Sequence, residues 1–89
     1  MKKNSNYNYP AVKKSLEVAH SLTDVFEVMQ DYIRHEGNES AGNLILFLMM
    51  AADETNNPYV RHYTDAMKGK PVDIVAKQII SVISAATIV

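Results

Sequence analysis

Apolar residues recur at helical spacing along most of this chain. Between Ala11 and Glu36 they form one continuous stripe, charged residues occupy the opposite face, and no glycine or proline interrupts the pattern. The stripe consists of Val12, Val18, Ala19, Leu22, Val25, Phe26, Met29, Tyr32 and Ile33. This pattern predicts a single amphipathic helix of about 26 residues, roughly 39 Å long. The alternative is a break near Ser21–Asp24, with Thr23 as the N-cap of a second helix.

The nine residues from Leu44 to Ala52 are all apolar. A helix that is apolar on every side has to be surrounded by protein or by lipid, and nine residues are about half of the roughly 20 that cross a bilayer. The segment therefore predicts a fully apolar central helix in the core of a soluble domain, without a membrane partner. The expected core is Leu22, Phe26, Met29, Ile33, Leu44, Ile45, Phe47, Leu48, Ile79 and Ile83.

Glycine, proline and asparagine mark the ends of the other segments. Gly37 is expected to end the first helix, and Asn38 or Ser40 to cap a second helix over residues 41–53. Asn57 is the predicted N-cap of a third helix over residues 58–68, with Pro58 in its first turn.

Pro71 is expected to open the last helix, in which Val72, Val75, Ile79, Val82 or Ile83, and Ala86 recur on one side. Residues 79–89 are rich in β-branched side chains, so a strand is the alternative there. The prediction is therefore one all-α domain over residues 1–89, a small four-helix bundle-like fold with a long amphipathic first helix. Residues 1–9 are predicted to form a flexible arm.

Composition and charge limit the functional classes. The net charge of −1 offers no general attraction to nucleic acid or to anionic membranes, so nucleic acid is not the expected partner. The chain has no cysteine, and its Met-Lys-Lys start is followed by polar residues where a secretory signal would be apolar. The predicted location is the cytoplasm.

Candidate catalytic and metal-binding groups are few. His35, Glu36 and Glu39 are the densest cluster of metal ligands, but Gly37 interrupts the helix between them and no recognised zinc spacing is present. The segment 53–57 resembles the start of a calcium loop, but Pro58 stands where that loop requires glycine. No phosphate loop or nucleophile elbow occurs. The sequence predicts no catalytic residue, no metal and no cofactor.

The predicted third helix is the most function-like stretch. Tyr59, Arg61, His62 and Tyr63 lie close together, and tyrosine and arginine are common anchors of protein interfaces. These four residues are the candidate partner-binding site. The segment also has the coarse outline of a helix-turn-helix, although its turn lacks glycine and Asp65 would face DNA phosphates.

The end of the chain predicts self-association. No charge follows Lys77, and a terminal helix of this composition has more apolar circumference than one small core can cover. A two-fold axis makes such a surface complementary to itself, which predicts a homodimer with Val82, Ile88 and Val89 at the interface and a contribution from Val18, Val25 or Val28. A monomer with the tail folded onto the first helix is the alternative.

The expected function is that of a small non-enzymatic regulatory or inhibitory protein that acts through protein–protein contacts with an unidentified partner. A helix-turn-helix-like DNA-binding transcriptional regulator is the alternative. Small helical proteins of bacteria and phages, such as immunity proteins, inhibitors of host enzymes and transcription regulators, share this architecture. The likeness includes no residue-level correspondence.

Overall fold

The structure, a computed structural model, describes residues 8–87 and contains five α-helices and no strand in this range. The helices are α1 (Tyr9–Glu17), α2 (Leu22–Glu36), α3 (Ala41–Thr55), α4 (Pro58–Met67) and α5 (Val72–Thr87). The predicted all-α class is confirmed, with five helices instead of four. Within the described range, no helix has the length and apolar character that crossing a membrane requires. Residues 1–7 of the predicted arm, and Ile88 and Val89 of the predicted interface, lie outside the described residues.

The single long first helix is a wrong prediction, because the chain breaks after Glu17 and resumes at Leu22. Ser21 caps α2, its Oγ accepting a hydrogen bond from the backbone N–H of Asp24 at 3.0 Å. The Asp24 carboxylate in turn accepts the backbone N–H of His20 at 3.0 Å, and this bond lowers the pKa of Asp24. These reciprocal bonds satisfy backbone donors that a helix start leaves unpaired. The alternative location of the break was therefore right, with Ser21 instead of Thr23 as the cap.

The break also changes which side chains are buried. Leu22, an expected core residue, is 39% exposed at the start of α2. Phe26 and Phe47 are only partly buried, and the other seven expected core residues are buried. Val12, Leu16, Val25 and Val60 are fully buried residues that the expected core omitted.

α3 occupies the centre of the fold and packs against each of the other four helices. Its buried positions are Ala41, Leu44, Ile45, Leu48, Ala51 and Ala52. Phe47 packs between Tyr9 of α1 and Tyr32 of α2, with ring centroids 5.4 and 5.8 Å apart. One side of α3 is open, however, because Leu46 is 54% exposed and Met50 is also exposed. The prediction that this helix is surrounded on every side is therefore wrong.

Asn57 joins the end of α1 to the start of α4. Its Oδ1 accepts the backbone N–H of Tyr59 at 2.8 Å, which confirms the predicted N-cap. Its Nδ2 donates to the carbonyl oxygens of Leu16 and Ala19 at 2.9 and 2.8 Å. Asn57 is buried. Its side chain therefore supplies the hydrogen bonds that water would otherwise give to these two carbonyls.

Gly37 ends α2 as predicted, at a φ of +94° that an L side chain rarely adopts, and its N–H donates to the carbonyl of Ile33 at 2.8 Å. Neither Asn38 nor Ser40 caps α3 through its side chain, contrary to expectation. Residues 38–40 form a 3-10 turn instead, and the Ser40 hydroxyl donates back to the carbonyl of Glu36 at 3.0 Å.

α5 packs against α3 along a narrow line. Val75, Ile79 and Ile83, spaced four residues apart, are its buried positions. Val72 and Ala86, predicted on the same inner side, are exposed, as are Ile74 and Val82. The strand alternative for this segment is wrong as far as residue 87.

Candidate functional site

The four predicted partner-binding residues lie on α4 but do not share one face. The side of α4 that faces the core carries its buried residues, Val60, Thr64 and Met67. Tyr59 and His62 are exposed on the side where Tyr63 is half-buried. Because each residue turns a helix by about 100°, Arg61 lies about 160° around the axis from Tyr63. The cluster that the sequence predicts is therefore split between two sides of α4.

Arg61 lies in a shallow cleft between α3 and α4. Its guanidinium donates to Oδ1 of Asn56 at 2.5 Å, and the cleft also contains Asp53 and Asp65. Lys68 pairs with Asp65 at 3.3 Å across one turn. The cleft therefore carries both signs of charge, and its cations already have partners within the fold.

Tyr63 connects α4 to α2. Its hydroxyl donates to the carbonyl of Leu22 at 3.1 Å, and burial raises the pKa of the phenol, so it remains a donor at neutral pH. The ring of His62 meets the Tyr63 ring edge to face, with centroids 5.7 Å apart. Tyr63 thus forms part of the wall between α4 and α2.

That wall borders an apolar groove of about 290 Å³ enclosed by α2, α4 and α5. The lining residues are Phe26, Met29, Tyr63, Ala66, Met67, Lys70, Val75, Gln78, Ile79 and Val82. Two methionines make the walls adaptable in shape, because the thioether chain is unbranched and flexible. The groove results from the narrow attachment of α5, which leaves one flank of that helix apart from α2 and α4.

The charge around the groove is low. Lys70, between α4 and α5, is the charged side chain among the lining residues that the structure describes. Gln78 and the Tyr63 hydroxyl are the other polar groups in the lining. An occupant would therefore be bound through apolar contact, with a single site for a negative charge or a carbonyl dipole at Lys70.

Among the predicted dimer residues, Val82 is 54% exposed and lines the groove. Val18, at the end of α1, is 72% exposed, and Val28 is half-buried. Val25 is fully buried and cannot reach a second copy without unfolding of the core, so its proposed contribution is wrong.

A second exposed apolar surface, Leu46 and Met50 on α3, escaped the sequence reasoning. The sequence did contain a pattern that indicates this exposed surface. Asn43, Leu46, Met50 and Asp53 follow a spacing of three, four and three residues, which places them on one helix face. The polar residues at both ends of this series mark it as the outer face of α3.

Titratable groups outside the groove form local pairs. The Nδ1 of His35 lies 3.0 Å from the carbonyl oxygen of Asp31, and Arg34 pairs with the Asp31 carboxylate at 3.0 Å. Over residues 8–87, no group of three or more histidine, aspartate or glutamate side chains is arranged to hold a metal ion. The turn at 53–57 serves to end α3 and to begin α4, with Asn56 left-handed at φ +58°.

The chain was compared with known protein families, with curated proteins and with solved structures, and no significant match was found. The two surfaces with the most distinctive chemistry are the apolar groove between α2, α4 and α5 and the mixed-charge cleft around Arg61. These surfaces are the basis for proposing what the chain does.

Proposed function

We propose that this chain is a non-enzymatic regulatory or inhibitory protein that binds a macromolecular partner and acts as a homodimer. The observation that supports the proposal is the apolar groove, which Tyr63 of α4 lines, together with the exposure of Tyr59 and His62 on the same helix. Removing apolar surface from water is worth about 25 cal/mol per Å², so a second copy over the groove and a partner over the exposed side chains of α4 each gain several kcal/mol for every few hundred Å² that they cover.

The chemistry of the groove favours binding over catalysis. Its ionisable groups are Lys70 and the Tyr63 hydroxyl, and the latter donates to a backbone carbonyl. Acid–base or nucleophilic catalysis uses at least two groups within hydrogen-bond reach of one reacting atom. Tyr59 and His62, in contrast, present large side chains with polar tips, which are common in protein interfaces.

Affinity capture tests the proposal. A tagged chain is incubated with an extract of the source cells, and bound proteins are identified by mass spectrometry. We expect one partner at a stoichiometric level, lost at least tenfold in the double variant Tyr59→Ser, His62→Ala. Lys14→Ala, on the exposed side of α1, is the matched control and is expected to retain the partner. Equal recovery with all three proteins, or no protein enriched with any of them, would contradict the proposal.

Binding of duplex DNA through α4 is the second candidate function. The exposure of Arg61 and Lys68 on one side of a short helix that follows α3 and a brief turn favours it. Asp53 and Asp65 in the same cleft would face the phosphates and oppose it. A mobility shift that weakens with salt and with Arg61→Ala would favour DNA binding, whereas no shift at low salt would remove it.

A further inference from the structure

We propose that α5 of a second copy fills the groove, in an antiparallel two-fold pair centred on Gln78. This inference rests on the homodimer proposed above and specifies the surface and the register through which two copies meet. In such a pair each α5 is one wall of its own groove and the occupant of the groove opposite.

The outer side of α5 carries an uncharged stripe beside the groove. Its members are exposed and follow one another at spacings of four, three, one and three residues, which keeps them on one face: Ile74, Gln78, Ser81, Val82 and Ala85. The charges of the helix, Asp73 and Lys77, lie about 100° around the axis from the middle of this stripe. The stripe can therefore meet an apolar surface without burying an unpaired charge.

The spacing of the stripe is self-complementary. Ile74 and Val82, its two large apolar residues, are eight residues or about 12 Å apart, and Gln78 lies midway between them. A two-fold axis through Gln78 places Ile74 opposite Val82 of the partner subunit. This contact forms twice, because a two-fold interface repeats each pair. The two Gln78 side chains meet at the axis, where an amide can both donate and accept.

The groove is compatible with this arrangement because Val82 belongs both to the groove and to the stripe. It lines the groove together with Phe26 and Tyr63, and it is also an exposed member of the stripe. A helix laid along the stripe therefore lies over the groove as well, and its apolar side chains enter the space between α5 and the other two helices. One contact thus covers the groove and the stripe of both copies.

Lys70 decides in favour of the antiparallel direction. It lies three residues after α4 and two residues before α5, so the negative end of the α4 dipole and the positive end of the α5 dipole both act on it, and the helix end of the partner makes the difference. In the antiparallel pair Lys70 lies opposite Ala86 of the partner subunit, near the carbonyl end of that helix, which attracts a cation. A parallel pair would place Lys70 beside two positive helix ends and bring like charges together.

Single cysteines test the register, because the chain has no cysteine of its own. A disulfide requires Cα atoms about 4.4–6.8 Å apart. We expect Gln78→Cys to cross-link to itself under mild oxidation. An equimolar mixture of Ile74→Cys and Val82→Cys is expected to form mainly the mixed disulfide, because identical positions are about 12 Å apart along the axis. Ser84→Cys, on the other side of α5, is the control and is expected to stay reduced.

Analytical ultracentrifugation tests whether a second copy of the chain occupies the groove. The wild-type chain is expected at about 20 kDa, twice its mass of 10.0 kDa. Val82→Asp is expected to weaken the dimer at least a hundredfold, whereas Ser84→Asp, with the same added charge on the same helix, is expected to leave it intact. Far-ultraviolet circular dichroism of Val82→Asp should match that of the wild type, because residue 82 is exposed in one copy.

Three outcomes would overturn the inference. The first is a 10 kDa species that persists at several hundred micromolar. The second is a dimer that Val82→Asp leaves intact. The third is a dimer that cross-links through Ser84→Cys and not through Gln78→Cys. The first outcome would also remove the homodimer from the proposed function. None of the three would contradict the binding of a macromolecular partner, which affinity capture tests separately.

Discussion

α3 and α5 are both apolar along most of their length, yet the fold uses them differently. α3 packs against all four other helices and buries six of its residues. α5 packs mainly against α3, and among its residues 72–86 it buries Val75, Ile79 and Ile83. The difference shows that an apolar helix becomes central through the number of elements that surround it. Composition alone does not place it there.

The two helices differ in the number of elements that pack against them. α1, α2, α4 and α5 all pack against α3 and cover several of its sides. α5 packs mainly against α3 and leaves its other sides uncovered. Its remaining apolar surface forms one wall of the groove and the stripe through which we propose that two copies pair.

The largest expected loss of folding stability is for a substitution in α3. Leu48→Ala should lower the free energy of unfolding by about 3–5 kcal/mol, because the fully buried side chain leaves a cavity. Leu46→Ala, in the same helix, removes the same atoms from an exposed site and should cost less than about 0.5 kcal/mol. Urea titration measures both. Equal losses would show that α3 is not the asymmetric helix described above.

The second-largest loss of stability is expected on substitution of Asn57, because this residue joins α1 to α4. Asn57→Ala removes the cap of α4 and leaves the carbonyls of Leu16 and Ala19 unpaired, at a cost of about 2–3 kcal/mol. Asn57→Asp keeps the cap acceptor but turns the donor into a carboxylate, so it should be destabilising as well. A near-neutral Asn57→Asp variant would show that the cap alone matters.

In α5, Ile79→Ala should cost about 2 kcal/mol, at the low end for such a change, because the neighbouring groove lets the site collapse. Amide hydrogen exchange sharpens the contrast. Amides of α5 should exchange faster than those of α3 in a dimer-deficient Val82→Asp background, since α5 has fewer buried contacts. Equal protection of the two helices in that background would contradict the comparison.

At the break before α2, Ser21→Ala should cost about 1 kcal/mol through loss of the N-cap. Thr23→Ala, at the residue that the alternative sequence prediction of a break named as the cap, should be nearly neutral. Thermal unfolding followed by circular dichroism distinguishes the two variants. The reverse order of their melting temperatures would move the cap to residue 23.

The smallest effect should be at Tyr9, whose hydroxyl donates to Glu54 at 2.8 Å. Tyr9→Phe keeps the ring against Phe47 and should cost about 0.5–1 kcal/mol at neutral pH. Unfolding by urea at several pH values measures this cost.

The pH dependence gives a second measurement of the same bond. Burial and the bond to Glu54 raise the pKa of Tyr9 from 10.0 to about 12. The stabilisation of the fold by the protonated Tyr9 hydroxyl is therefore complete below pH 10 and is lost as the pH rises toward 12. The same hydroxyl and Lys13 lower the pKa of Glu54, so that contribution is present above the usual glutamate pKa and is lost as the pH falls through the lowered value. Tyr9→Phe should flatten both limbs, and unchanged limbs would show that the bond does not form.

The sequence by itself determined the features that depend on neighbours in the chain. Helical periodicity gave the all-α class, the left-handed φ of Gly37 ended α2, and Asn57 with Pro58 began α4. Apolar spacing also placed Val75 and Ile79 on the buried side of α5, although it left Val82 or Ile83 open and wrongly added Val72 and Ala86. These features were predictable because each rests on hydrogen bonds or spacing within a few residues.

Only the tertiary structure decided the features that depend on residues distant in sequence. The break in the first helix was unclear from its unbroken stripe, because Asn57, 38 residues beyond Ala19, binds the carbonyls that the break exposes. The division of Tyr63 and Arg61 between two sides of α4 depends on where α2 and α3 pack. The groove likewise exists because α5 meets α3 along one line, and the distances between helices are set by packing and not by the periodicity of any one helix.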